Sequence, residues 1–196
     1  MNPALVDPAQ ATRALLLFFV VPLWLAAGVA DWLCHRRTGI QYNSGLKESL
    51  IHLLMLAEMG LPVLAALLLE INALVLLVMV AAFALHEVTA LWDVRYAVAH
   101  RRVTPIEQHV HSFLEMMPLM GLAFVAALHP QQALALLGLG GEAADWGIRP
   151  KADPLPWGYL LTVLGAVAAL EILPYGEEAL RCWRARRARL PSHGNN

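Results

Sequence analysis

Apolar residues run along this chain in long blocks, without the alternation of a strand. Backbone held in lipid must satisfy its own hydrogen bonds, so such blocks predict helices. Five are expected, at about residues 9–36, 46–69, 73–100, 106–128 and 157–180. Asp7-Pro8 opens the first as a cap followed by proline at the first helical position. Glu70-Ile71-Asn72 makes the turn between the second and third, Thr104-Pro105 starts the fourth, and His129-Pro130 ends it. Pro174 predicts a kink in the fifth. Residues 130–156 form the one long loop; a short interfacial helix is expected near Gln131–Leu139 before glycines and prolines break the chain.

Composition agrees with this pattern. Of 196 residues, 59% are apolar and 15% charged, and the mean hydropathy is +0.56. Soluble domains are nearer 45–50% apolar and 25% charged, roughly. An ordinary soluble enzyme, a disordered chain and a disulfide scaffold are excluded. The expected fold class is all-α, a polytopic membrane protein of one domain, with a metal-binding bundle in its first four spans. Cys34 and Cys182 read as incidental. Arg13, an apolar run and Gly28-Val29-Ala30 imitate a signal peptide, but the segment reads as a retained span. The net charge of −1 carries no nucleic-acid signature.

Basic residues indicate orientation. Eleven of the 14 lie between spans one and two (Arg36, Arg37, Lys47), around the link between three and four (Arg95, Arg101, Arg102), or after span five (Arg181, Arg184, Arg186, Arg187, Arg189). Alternating spans place all three groups on one side, so the N-terminus is expected outside and the C-terminus in the cytoplasm, as in a bacterial inner membrane. The tail 181–196 is expected to meet anionic headgroups of membrane lipids.

The acids change the picture most. Asp31, Glu48, Glu58, Glu87, Asp93, Glu107 and Glu115 fall in or at the ends of spans one to four, with His35, His52, His86, His100, His109 and His111. An ionised group at mid-bilayer costs roughly 2.5–3.5 kcal/mol on the lenient insertion scale. Bound cations are the simplest compensation, because one ion neutralises several carboxylates. Asp31/His35, Glu48/His52 and Glu107/His111 are each four residues apart, and so share a helix face. His86, Asp93 and His100 recur every seven residues, drifting only about 20° per step. Counted from the span ends, the paired groups fall in one slab near the cytoplasmic interface, with His86, Glu58 and Glu115 deeper.

The expected metal ligands are therefore Asp31, His35, Glu48, His52, His86, Asp93, Glu107 and His111. Glu58 and Glu115 are the candidate catalytic proton carriers. Glu87 is expected in an outer layer, His100 and His109 are weaker candidates, and His129, His193, Glu70 and Glu171 read as solvated. Inward-facing carboxylates and imidazoles from four helices resemble, in ligand logic over residues 31–115, the ferritin-like di-iron and di-manganese carboxylate bundles. That family pairs Glu and His three apart on two helices; here the spacing is four on three helices. The resemblance implies two divalent ions, and the donor types favour iron, with zinc or manganese also suited. With iron, the expected activity is oxidation of a lipophilic small-molecule substrate such as a lipid chain or a quinol. A zinc-dependent hydrolase of lipid esters or amides, with Ser49 and Ser112 in support, is the alternative. A metal carrier or sensor is another, and a b-type haem protein ranks last.

Overall fold

The computed structural model describes residues 7–189. Among them it is all-helical apart from an isolated antiparallel bridge between Leu69 and Pro150. Five helices are long and apolar enough to cross a membrane: α1 Pro8–Thr38, α2 Leu46–Leu68, α3 Ala73–His100, α4 Pro105–Leu128 and α6 Trp157–Arg189. The short helix α5, Pro130–Leu136, lies between the last two.

Local chemistry sets the boundaries. The Asp7 side chain accepts from the Ala9 amide (3.1 Å), capping α1. Gly39, at φ 66°, takes the left-handed conformation that ends α1, and its amide closes on the His35 carbonyl. Asn72 caps α3 by accepting from the Val75 amide (3.1 Å) and donates to the Gly147 carbonyl (2.7 Å). Thr104 and Glu107 form a reciprocal capping box at the start of α4. The loop after α5 is sealed to the α2–α3 turn by the Glu70 amide on the Arg149 carbonyl (2.9 Å) and the Lys151 amide on the Leu68 carbonyl (3.0 Å).

Two helices contain a π-helical turn, Leu16–Val20 in α1 and Ala168–Ile172 in α6. Each precedes a proline, Pro22 or Pro174. Proline lacks an amide hydrogen and frees the carbonyl four residues back, so the widened turn absorbs the disruption. Helix α6 continues through Pro174 and through the first part of the basic tail to Arg189, past the expected end near residue 180. Residues 190–196 of that tail, including His193, lie outside the described residues.

Polarity is inverted relative to a water-soluble bundle. Phe18, Leu61, Val88, Leu91, Leu161 and Leu173 are exposed, while Asp31, His35, Glu48, His52, Asp93, Glu107 and Glu178 are buried. The exposed apolar sheath suits hydrocarbon, and the interior must solve the electrostatics. Helix α1 packs on α4 and α6, α2 packs on α3 and the second half of α6, and α3 also packs on α4. The fifth long helix therefore belongs to the bundle core, beyond the four-helix arrangement expected.

Candidate metal centre

The chamber forms where α1, α2, α3, α4 and α6 converge near one end of the bundle. On α1, Asp31 and His35 stand one turn apart; His35 Nε2 is 3.5 Å from Asp31 Oδ1 and 3.4 Å from Glu107 Oε1 of α4. His111, one turn along from Glu107, brings its Nε2 to 2.9 Å from Asp31 Oδ1. On α2, His52 Nε2 lies 4.0 Å from Glu48 Oε1 and 3.3 Å from Asp93 Oδ1 of α3. The His35 and His52 rings stack, with centroids 4.4 Å apart and planes within 8°. Seven of the eight expected ligands are thus drawn together.

Glu178 of α6 orders the two stacked rings. His35 Nδ1 donates to its Oε2 (3.1 Å) and His52 Nδ1 to its Oε1 (2.9 Å). A carboxylate accepts, so each ring bonds it through a hydrogen on Nδ1 and points its Nε2 into the chamber. Metal-ligating histidines are oriented in this way by a carboxylate on the far nitrogen. Among the described residues, His35 Nε2, His52 Nε2, Asp31 Oδ1 and Asp93 Oδ1 are buried and lack aligned hydrogen-bond partners. They approach one another at 3.3–3.5 Å without aligned hydrogen-bond geometry.

Two donor groups have atoms all within 4.8 Å of one another: Asp31, His35 and His111, and His35, Glu48 and His52. Ligands about 2.0–2.2 Å from one ion lie at most about 4.4 Å apart, so small side-chain adjustments would close either group on a cation. The groups meet at His35. The Tyr175 hydroxyl donates to Asp31 Oδ2 (3.0 Å), steadying that carboxylate from behind.

Arg101 follows α3 in the link to α4, and the sequence alone groups it with the other basic residues of that link. The structure singles it out. Its side chain is 2% exposed and turned inward, bonded to both carboxylate oxygens of Glu48 and to Glu107. Burial opposes its charge, but hydrogen bonds to Glu48 and Glu107 outweigh that and hold its pKa above the ordinary guanidinium value. Glu107 faces two ways: its Oε2 accepts from the Thr104 amide (3.3 Å) in the capping box while its Oε1 enters the chamber. Helix capping thereby aims this carboxylate into the chamber.

The remaining expected residues lie apart. His86, on α3, is 3.9 Å from Glu58 across an ion-pair contact, and Glu58 accepts from the Thr89 hydroxyl (2.8 Å). These three form a separate polar patch deeper in the bundle, so His86 does not join the other seven. Glu115 lines the cavity described below, beside His111. Glu87 is half-buried; His100 is exposed and donates to the Tyr96 carbonyl (2.8 Å), and His109 is exposed against Phe113. Ser49 is buried beside Glu48, whereas Ser112 is exposed and bonds the Gln108 carbonyl.

Three residues of α6 escaped the reading of the sequence. Glu171, expected to be solvated, is buried, and Tyr175 and Glu178 accompany it. A signal was present: positions 171, 175, 178 and 182 fall on one helical face, and all four are buried. The Glu171 carboxylate lies directly over Gly28 of α1, where a Cβ would collide with it. Gly28→Ala is expected to lower stability by about 1–3 kcal/mol through overpacking. Adding Glu171→Ala should recover most of that loss in thermal unfolding of the detergent-solubilised protein; strictly additive losses would contradict the contact.

An apolar cavity of about 180 Å³ ends on this chamber. Asp31, His52, Asp93 and His111 form its polar end, and Leu25, Met55, Leu56, Val63 and Val167 are among its walls. No family model, curated protein or solved structure matches the chain.

Proposed function

We propose that the chamber holds two divalent metal ions, preferably iron with zinc or manganese as the other candidates, and that the protein is an integral-membrane oxidoreductase acting on a lipophilic substrate. The observation that carries this reading is the shared Glu178 carboxylate, which directs two imidazole Nε2 atoms into one nest of acids. Charge supports it. Asp31, Glu48, Asp93, Glu107 and Glu178 are buried, and Arg101 is the one guanidinium bonded within the chamber among the described residues. Five carboxylates against one guanidinium leave four negative charges; two divalent ions would balance them with the imidazoles neutral, whereas without metal the protonated rings of His35, His52 and His111 would offset part of that charge. Burying that charge uncompensated would be far too costly for a fold of this size.

His35, Asp31, His111 and Glu107 would hold one ion, and His52, Glu48 and Asp93 the other. Mixed carboxylate and imidazole donors suit iron, manganese or zinc. Iron would supply dioxygen chemistry. Hydroxylation of a substrate C–H bond consumes O₂, two electrons from an external reductant and two protons, and releases water. Glu115, on the cavity wall beside His111, is the better placed of the two expected proton carriers; Glu58 is a further step away. The apolar cavity favours a hydrocarbon substrate that enters between helices from the bilayer. In this reading the basic groups favour a chamber at the cytoplasmic side of a bacterial inner membrane, with the N-terminus outside.

Protein purified without chelators is expected to carry about two irons per chain and to show oxo-bridge absorption bands. Glu48→Ala and Glu107→Ala should each lower the metal content; unchanged stoichiometry in both contradicts the ligand set. Colourless protein loaded with zinc would redirect the reading to lipid ester or amide hydrolysis. A Soret band, or no metal above background, would overturn it.

A further inference from the structure

A second cavity, of about 300 Å³, occupies the half of the bundle away from the chamber. It adjoins the first: Val21, Trp24, Met59, Val63 and Leu67 line both. Together they give an almost continuous apolar course from the chamber to the opposite end of the bundle. At that end the walls become polar, with Arg13, His129 and Lys151 beside Glu70 and Asp153. The acids do not neutralise the cations by direct contact. Among the described residues neither Arg13 nor Lys151 makes an ion pair within 4 Å, and Glu70 accepts from the Ala152 amide instead. Burial, then the charges of Lys151 and Arg13, hold the His129 pKa below its ordinary value. Arg13 and Lys151 thus face this mouth without a direct ion-pair partner, beside a neutral His129, a setting that can receive an anionic group.

The scale fits a long chain. Arg13 and Asp31 lie on the same helix, 18 residues and so roughly 27 Å apart along its axis. The Arg13 side chain at one end and the chamber at the other shorten the apolar stretch to that of an extended acyl chain.

Building on the oxidoreductase reading, we propose that the substrate is a single-chain amphiphile with an anionic headgroup. The headgroup is held by Arg13 and Lys151, the chain passes Trp24 and Met59, and its far end lies against the metal chamber. This makes the end of the chain remote from the headgroup, not the headgroup itself, the part exposed to reaction. A carboxylate and a phosphate monoester share the required chemistry, as in a fatty acid and a lysophosphatidate.

Contact quenching of tryptophan tests the proposal without metal or turnover. Palmitate brominated at mid-chain, the level of Trp24, a lysophosphatidate bearing the same chain, and the corresponding neutral alcohol are titrated into the full-length protein in detergent. Both anions are expected to quench saturably, and Trp24→Phe should remove most of that quenching. The alcohol should bind about tenfold more weakly, as should palmitate to Arg13→Gln/Lys151→Gln. The tighter anion identifies the headgroup. Equal affinity for acid and alcohol in the wild-type protein, or quenching that survives in Trp24→Phe, overturns the proposal. A protein with its full metal content that fails this test sinks the substrate assignment alone; one that passes but holds no metal sinks the oxidoreductase reading alone.

Discussion

Arg101→Met is expected to lower the stability of the metal-free protein by about 3–5 kcal/mol, the usual cost of stripping one partner from a buried ion cluster. Glu48 and Glu107 are both fully buried, and the guanidinium bonds both. Removing it leaves two carboxylates with too little compensation in a space closed to water. Arg101→Lys should recover little, because an ammonium cannot reproduce the fork that spans the two acids. Glu48→Gln in the Arg101→Met background should recover part of the loss by removing one of the stranded charges. Chemical unfolding in detergent, followed by circular dichroism, measures all three. If Arg101→Met unfolded like the wild type, Arg101 would have to lie outside the chamber, and the charge balance that calls for two divalent ions would fail with it.

Glu178→Gln should weaken metal binding about 10–100-fold, the usual effect of losing a carboxylate behind ligating histidines. The change is nearly isosteric, so the helix should survive it. Glutamine offers one oxygen acceptor where Glu178 serves His35 and His52 with two. Its amide nitrogen then faces one ring as a donor. That ring must present Nδ1 as the acceptor and carry its hydrogen on Nε2, which points a proton where the nitrogen lone pair is needed to bind metal. Competition with a chelator of known affinity reads the loss, and circular dichroism confirms the fold. Metal affinity equal to wild type would show that the two rings are not ligands. Acidification should release metal from either protein, since protons compete for the same nitrogens and oxygens.

The spacing of acids and histidines carries much of this centre in plain sight. Asp31/His35, Glu48/His52 and Glu107/His111 are one-turn pairs, and a one-turn pair has little choice but to face the same way. Inside an apolar sheath, buried acids are driven toward any compensating charge, so these faces find one another with Asp93. Arg101 was not legible on the same grounds: the basic residues of a short link look alike in sequence, and only the approach of α2 to α4 determines which one is drawn inward. Glu178 and Glu171 were readable as a face of α6, through the 171, 175, 178, 182 spacing. Nothing in the spacing, however, says which neighbour that face meets.

The chain's own pattern determined the five membrane-length helices, their starts at Asp7, Asn72 and Thr104, and the turn on which each acid sits. These are local properties, set by hydrogen bonding along one helix and by the period of 3.6. The tertiary structure alone decided that α6 closes the bundle, that Glu178 bridges His35 and His52, that Arg101 joins the acids, and that two apolar cavities run end to end behind them. Each of these depends on distances between segments far apart in the chain. Helical periodicity fixes the azimuth of a side chain on its own axis, whereas the partner across the interface is selected by how all the helices pack at once.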